Sequence, residues 1–136
     1  MKILLDTNII IDVISKRDGY EDSLQILRLC ELKRLEGYVS AVTVTDIMYI
    51  LRKHLSQAQL RASIGTLLTI VALVSVGKTD INRALASVMT DFEDAVQAAC
   101  AKRINADYIV TRNLKDFEQS PVNAISPTEL SNKFRN

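Results

Sequence analysis

The 136-residue sequence predicts an α/β domain of three layers, α/β/α, with a central parallel sheet of four to five strands. Three observations predict it. Short apolar runs closed by polar turn formers recur along the chain, as buried parallel strands do. Stretches with helical apolar spacing separate those runs, as crossover helices between parallel strands require. No repeat, low-complexity tract or linker divides the chain, so residues 1–136 form one domain, a size that buries a core without staples.

The first strand is Ile3-Leu4-Leu5, cut short by Asp6, Thr7 and Asn8. Ile9-Ile10-Ile11, with Val13 and Ile14, opens a helix capped by Thr7 or Asn8. Lys16-Arg17-Asp18-Gly19 ends that helix in a turn. Leu24, Leu27, Leu29 (or Ile26), Leu32 and Leu35 mark a second helix, which Gly37 ends. Residues 37–42 read as a second strand, and Thr43 as the cap of a third helix with Ile47, Met48, Ile50, Leu51 and Leu55. Ser56 caps a fourth helix. The β-branched run 70–76 is a third strand, stopped by Gly77.

Thr79-Asp80 opens a fifth helix and Thr90-Asp91 a sixth, whose Ala95, Ala98, Ala99 and Ala101 let it approach a sheet closely. Residues 107–111 are a fourth strand, ending in Thr111-Arg112-Asn113. Asp116-Phe117 closes a turn. Residues 121–125 are a last strand, and Ser126-Pro127 starts a terminal helix with proline in its first turn.

Totals exclude several functions. Lys plus Arg number 17 against 16 Asp plus Glu, a net charge of +1, which fits neither a basic nucleic-acid wrapper nor an acidic tail. Cys30 and Cys100 stand apart, with no CxxC and no histidine nearby, and read as buried free thiols of a reducing cytoplasm. Asp6, Asn8 and Asp12 interrupt the first apolar run, so it does not read as a signal peptide. The apolar stretch 64–76 is too short to span a bilayer, and no membrane partner is expected.

Ligands of open parallel sheets bind just beyond the carboxyl ends of the strands. Asp6, Asp46, Asp91, Asp94 and Asp116 all fall at that edge or on the helices that follow it. Each has an ordinary explanation. Asp6 can cap a helix, Asp46, Asp91 and Asp94 suit helix N-termini, and Asp116 suits a turn. Together they make an all-oxygen cluster whose repulsion a hard cation, Mg²⁺ or Mn²⁺, would relieve. The one histidine, His54, lies within a helical pattern and cannot supply a zinc site.

Four ordered stretches resemble the PIN-domain family, especially its small VapC-like toxin ribonucleases of toxin–antitoxin pairs. They are Leu4-Leu5-Asp6-Thr7-Asn8, Ser40 to Asp46, Asp91-Phe92-Glu93-Asp94-Ala95, and Val110-Thr111-Arg112-Asn113 followed by Asp116-Phe117. Asp46 stands where the family more often has glutamate, one methylene longer. The resemblance spans nearly the whole chain and implies a Mg²⁺- or Mn²⁺-dependent endoribonuclease, often dimeric and often held inactive by an antitoxin protein. It implies Asp6, Asp46, Asp94 and Asp116 as catalytic acids, with Asp6, Asp94, Asp116 and Asp91 on metal. Asn8, Thr111 and Asn113 would orient carboxylates or waters. Arg112, Lys115, Lys16 and Arg17, with Arg52 and Lys53 beyond them, would contact RNA phosphates.

Two rival readings come from other classes. A receiver-like signalling domain also gathers acids around Mg²⁺, but wants a lone phosphoacceptor after the third strand, where this chain has Ser75-Val76-Gly77-Lys78. A catalytically weak domain of the same fold, binding RNA or protein, finds support in the short Asp46. No serine–histidine or cysteine–histidine pair suggests a covalent hydrolase, and no GxxxxGK[ST] marks a nucleotide loop.

Overall fold

Strand β1 (Lys2–Leu5) is the axis of the computed structural model, which describes residues 1–135. Parallel partners flank it: β2 (Glu36–Ser40) on one side and β4 (Tyr108–Val110) on the other. Outer strands β3 (Ala72–Val74) and β5 (Ala124–Ile125) complete a five-stranded sheet in the order β3-β2-β1-β4-β5. The chain winds outward from β1 through β2 to β3, then returns to β4 on the opposite side. The topological switch therefore lies between β1 and β4, where such sheets place their ligands.

Alternation along the strands divides the core. Ile3, Leu5, Val39, Val110 and Ile125 face one apolar cluster. This cluster also takes α1 (Thr7–Ser15), α2 (Tyr20–Glu31), α3 (Ala41–Ile50), α4 (Gln57–Ile70) and α7 (Pro127–Lys133). Leu4, Val74 and Ile109 face the other, against α5 (Lys78–Ala86) and α6 (Phe92–Arg103). The three layers predicted are present. Ala95, Ala98, Ala99 and Ala101 of α6 are all buried, as the small-residue stripe predicts.

Caps differ from the sequence expectation in an informative way. Asp6, not Thr7 or Asn8, caps α1, and Ser40, not Thr43, caps α3. Gly19 does not end α1; Lys16 does, in a left-handed conformation with φ 50°, and Gly19 precedes α2. Ser56 caps α4 in a reciprocal pair with Gln59, as expected. The β-branched run keeps only Ala72–Val74 as strand, because α4 continues through Ile70. His54 is exposed in the turn after α3 rather than within the helix. Both cysteines are buried and free, and burial pushes their thiols up to about 12 for Cys30 and about 11 for Cys100. Among the described residues no helix is long and apolar enough to cross a membrane.

Gly37 lies inside β2 instead of ending α2. A Cβ there would stand 2.6 Å from Cys30 Sγ and 2.9 Å from Val71 Cγ1. Gly37→Ala is therefore expected to destabilise the fold by about 1–3 kcal/mol through overpacking. Gly65, in α4 with nothing within 4 Å of its would-be Cβ, gives the contrast. Gly65→Ala should stabilise by up to about 1 kcal/mol, the helix-propensity difference. Urea denaturation of the two variants checks both signs.

Candidate active site

Asp6 leaves the sheet at the switch point. Its backbone N–H still donates to Val110 at 2.9 Å, so its side chain is fixed to the ladder, and it is only 8% exposed. The Thr7 N–H donates to Oδ1 at 2.8 Å, while Oδ2 accepts from Thr111 Oγ1 at 2.8 Å and Asn8 Nδ2 at 3.2 Å. Thr111 is itself oriented by the Asn113 N–H, 3.0 Å from its hydroxyl oxygen. Burial raises the Asp6 pKa above the ordinary carboxylate value. Hydrogen bonds from Thr111 and Thr7 pull against that rise, and the charges of Asp116 and Asp91 add to it.

Helix α6 runs back toward β4, so its N-terminus comes to the same sheet edge. Asp91 caps it by accepting from the Asp94 N–H at 2.9 Å. Asp94 is half-buried, and its carboxyl is pushed up to about 7, by burial first and then by Asp91, Asp6 and Asp116. Asp46, on α3, is also half-buried, and burial raises its pKa.

A cleft of about 410 Å³ gathers these groups. Asp6, Asp46, Asp91, Asp94, Asn8, Asn113, Arg17 and Arg112 line it. Thr111 lies beneath Asp6. Asp116, exposed on a 3₁₀ turn over Leu114–Phe117, is not in the lining, although its charge reaches Asp6 and Asp94. Lys16 and Lys115 are exposed but do not line the cleft. Arg52 is tied to its own helix end, donating to Tyr49 O at 2.6 Å and lying 3.8 Å over the Tyr49 ring. Lys53 is exposed beyond α3 and also outside the lining.

Three lining or supporting groups escaped the sequence reading: Glu93, Gln97 and Thr43. Gln97 follows Asp94 by three residues and so shares its helix face, a usable signal. Its Nε2 donates to Thr43 Oγ1 at 2.7 Å, and Thr43 Oγ1 lies 3.0 Å from Thr7 Oγ1. This buried chain ties α6, α3 and α1 together beneath the cleft.

Among the described residues, no three acid, histidine or cysteine side chains form a closed cage; the carboxylates surround the cleft instead. Every candidate donor is oxygen. Asn8 Oδ1 and Gln97 Oε1 are buried in the lining with no hydrogen-bond partner. Carboxylates beside undonated acceptors suit a hydrated Mg²⁺ or Mn²⁺, whose waters donate hydrogen bonds and whose charge offsets the acids.

A family model described as PIN domain matches residues 2–115. None of the curated proteins matches the chain. Solved structures do. The chain resembles VapBC2 from Rickettsia felis bound to a promoter DNA fragment, at 20% identity and a TM-score of 0.72, covering 93% of this chain and 98% of that one. It resembles a toxin–antitoxin complex from Klebsiella pneumoniae at 24% identity and a TM-score of 0.70, covering 92% and 97%. It also resembles Mycobacterium tuberculosis VapC20, a sarcin–ricin loop cleaving toxin, at 16% identity and a TM-score of 0.63, covering 79% and 86%. At these identities the structural likenesses establish the fold.

The raised carboxyls have a consequence for stability. Asp94, at about 7 against 3.8, keeps in the folded chain a proton that the unfolded chain releases across that interval. The folded state then binds more protons, so stability in EDTA is expected to fall as pH rises from about 4 to about 7. Asp6 and Asp46 shift in the same direction. Asp94→Asn should flatten its share of the decline and be no less stable than the parent above neutral pH. Urea midpoints of both proteins across that range read this out. A parent that gains stability through the interval contradicts the electrostatic picture.

Proposed function

The chain belongs to the PIN-domain family, and from that premise we propose that it is a divalent-metal-dependent endoribonuclease, the toxin of a toxin–antitoxin pair. One observation carries the proposal: five carboxylates from three separate elements, Asp6, Asp46, Asp91, Glu93 and Asp94, meet in one cleft at the switch point of the sheet. Helix capping accounts for Asp6 and Asp91 but not for Asp46 and Asp94, which neither cap a helix nor form a salt bridge among the described residues. The likeness to VapC20, a sarcin–ricin loop cleaving toxin, and to a toxin–antitoxin complex supports the direction of the reading.

In the proposed reaction Asp6 and Asp94 would hold the ion, with Asp91 beside them and Asp46 completing the acidic wall; Asp116, outside the lining, would act on the ion through its charge. A bound Mg²⁺ or Mn²⁺ supplies Lewis acidity toward a phosphate oxygen and lowers the pKa of water. The chain's own groups do the positioning. The Asn113 N–H aims the Thr111 hydroxyl, which with Asn8 and the Thr7 N–H fixes both Asp6 oxygens. Asp94, its carboxyl pushed up to about 7 by burial and the neighbouring acids, would give up its proton to bind a cation. Arg112 and Arg17 on the cleft wall are placed to meet phosphates, whereas Lys16 and Lys115 lie outside the lining.

An antitoxin protein is the proposed partner. A groove of about 500 Å³ between α1, α2 and α4, lined by Ile10, Leu24, Leu27, Leu67 and Ile70 among others, offers it an apolar face. A second copy of the chain is the other partner proposed. Buried free thiols accord with a cytoplasmic setting.

Purified protein, freed of inhibitor, is expected to cut single-stranded RNA with Mg²⁺ or Mn²⁺ and not in EDTA. Asp6→Asn and Asp94→Asn should abolish cleavage. Thr111→Val, which removes the hydrogen bond to Asp6 and the acceptor of the Asn113 N–H, should cost about 10–100-fold in activity or metal affinity. Asp46→Glu tests the short acid: activity should hold or rise if reach limits the site. Undiminished cutting in EDTA contradicts the proposal. Binding of RNA with no cleavage by the parent would favour the rival of a binding module.

A further inference from the structure

Asp12 is a buried acid that the cleft does not use. It sits on α1, six residues beyond Asp6, is 1% exposed and lies outside the cleft lining. A buried carboxylate is costly unless it is paired. Asp12 is paired with arginine from two directions. Arg112 Nε lies 2.7 Å from its Oδ2 as an ion pair, and Arg17 Nη1 lies 3.9 Å from its Oδ1, which has no hydrogen-bond partner. Both arginines remain 43–48% exposed and both line the acidic cleft.

The backbone is arranged to bring them there. Lys16, in its left-handed conformation, turns the chain so that the Arg17 N–H donates to Asp12 O at 3.0 Å. Arg112 directly follows Thr111, the residue that fixes Asp6. Nε is the Arg112 atom nearest Asp12, and among the described residues the terminal nitrogens make no hydrogen bond, so they can offer a guanidinium edge to two phosphate oxygens.

We propose that Asp12 is a positioning residue that holds Arg112 and Arg17 as a two-arginine clamp for a phosphodiester of single-stranded RNA on the cleft wall; this rests on the nuclease reading and names how its substrate is gripped. The clamp places positive charge beside the carboxylates without letting it neutralise them. Asp12 touches neither substrate nor ion. It acts through the arginines.

The test uses the full chain with Mn²⁺ and a fluorescent single-stranded 2′-O-methyl RNA, whose anisotropy is followed across a salt series. Asp12→Asn removes one negative charge while keeping both arginines. If only net charge mattered, this variant would bind RNA as well as the parent or better. Positioning predicts the opposite, a loss of about tenfold, with a comparable loss for Arg112→Gln and little further loss when the two are combined. Arg112→Gln should also reduce the salt slope by roughly one. Arg112→Lys, a surface change that leaves the core intact, keeps the charge but loses the forked geometry and should still weaken binding severalfold.

Parent-like or tighter binding by Asp12→Asn overturns the clamp, even if its melting temperature falls, because that is the pattern of an ion pair that only ties α1 to the loop after β4. A parent that binds no RNA overturns it too. The pattern expected above, in a parent that fails to cleave unmodified RNA, counts against the nuclease reading and leaves the clamp standing.

Discussion

Holding a carboxylate almost out of water at the end of the central strand is the constraint on which the rest of the site depends. Asp6 sits at 8% exposure, where an ionised group is disfavoured unless hydrogen bonds replace its hydration. Three donors do so, and they come from both sides of the switch point: Thr7 and Asn8 follow β1, and Thr111 follows β4. The pairing of β1 with β4 is therefore a condition of the Asp6 environment as well as of the sheet. Burial still wins over those donors, which is why the Asp6 pKa stays raised. The group is fixed in place and short of positive charge, a state suited to receiving a cation.

The remaining acids are tied to secondary structure in the same economical way. Asp6 caps α1 while lining the cleft, and Asp91 caps α6 while standing beside Asp94. Capping and site roles thus coincide rather than compete. A helix N-terminus partly offsets a carboxylate's charge, which lets the chain bring several acids to one edge. The Gln97–Thr43–Thr7 chain beneath them holds α6, α3 and α1 at the spacing this requires. By contrast, Arg103 at the far end of α6 pairs with buried Asp80 at 2.9 Å and anchors α5 away from the cleft.

Much of this was legible in the sequence because strand ends and helix starts leave local marks. Ile3-Leu4-Leu5 followed by Asp6 announces a buried strand and its exit, and the alanines of α6 announce its close approach to the sheet. What escaped depends on residues distant in the chain. Thr43 reads locally as a cap, but its hydroxyl is spent on Gln97, 54 positions away. Gly37 reads locally as a helix stop, but the closeness of Cys30 and Val71 is what requires it. Asp12 looks like one more polar break in an apolar run, and only the turn at Lys16 and the return of β4 reveal its arginines. In the sequence Arg112 and Lys115 flank the strand-end acids, while Lys16 and Arg17 stand together at the end of the first helix. The turn geometry separates them, leaving Arg17 and Arg112 in the cleft lining and Lys16 and Lys115 out of it.

The most direct measurement of the central claim is an anomalous difference map from crystals of the protein soaked in Mn²⁺. A peak in contact with the carboxylates of Asp6 and Asp94 is the expected result, lost when Asp6 is replaced by Asn. The contradicting result is a saturating soak in which that cleft shows no peak, or one in which Mn²⁺ binds elsewhere and leaves Asp6 and Asp94 without it.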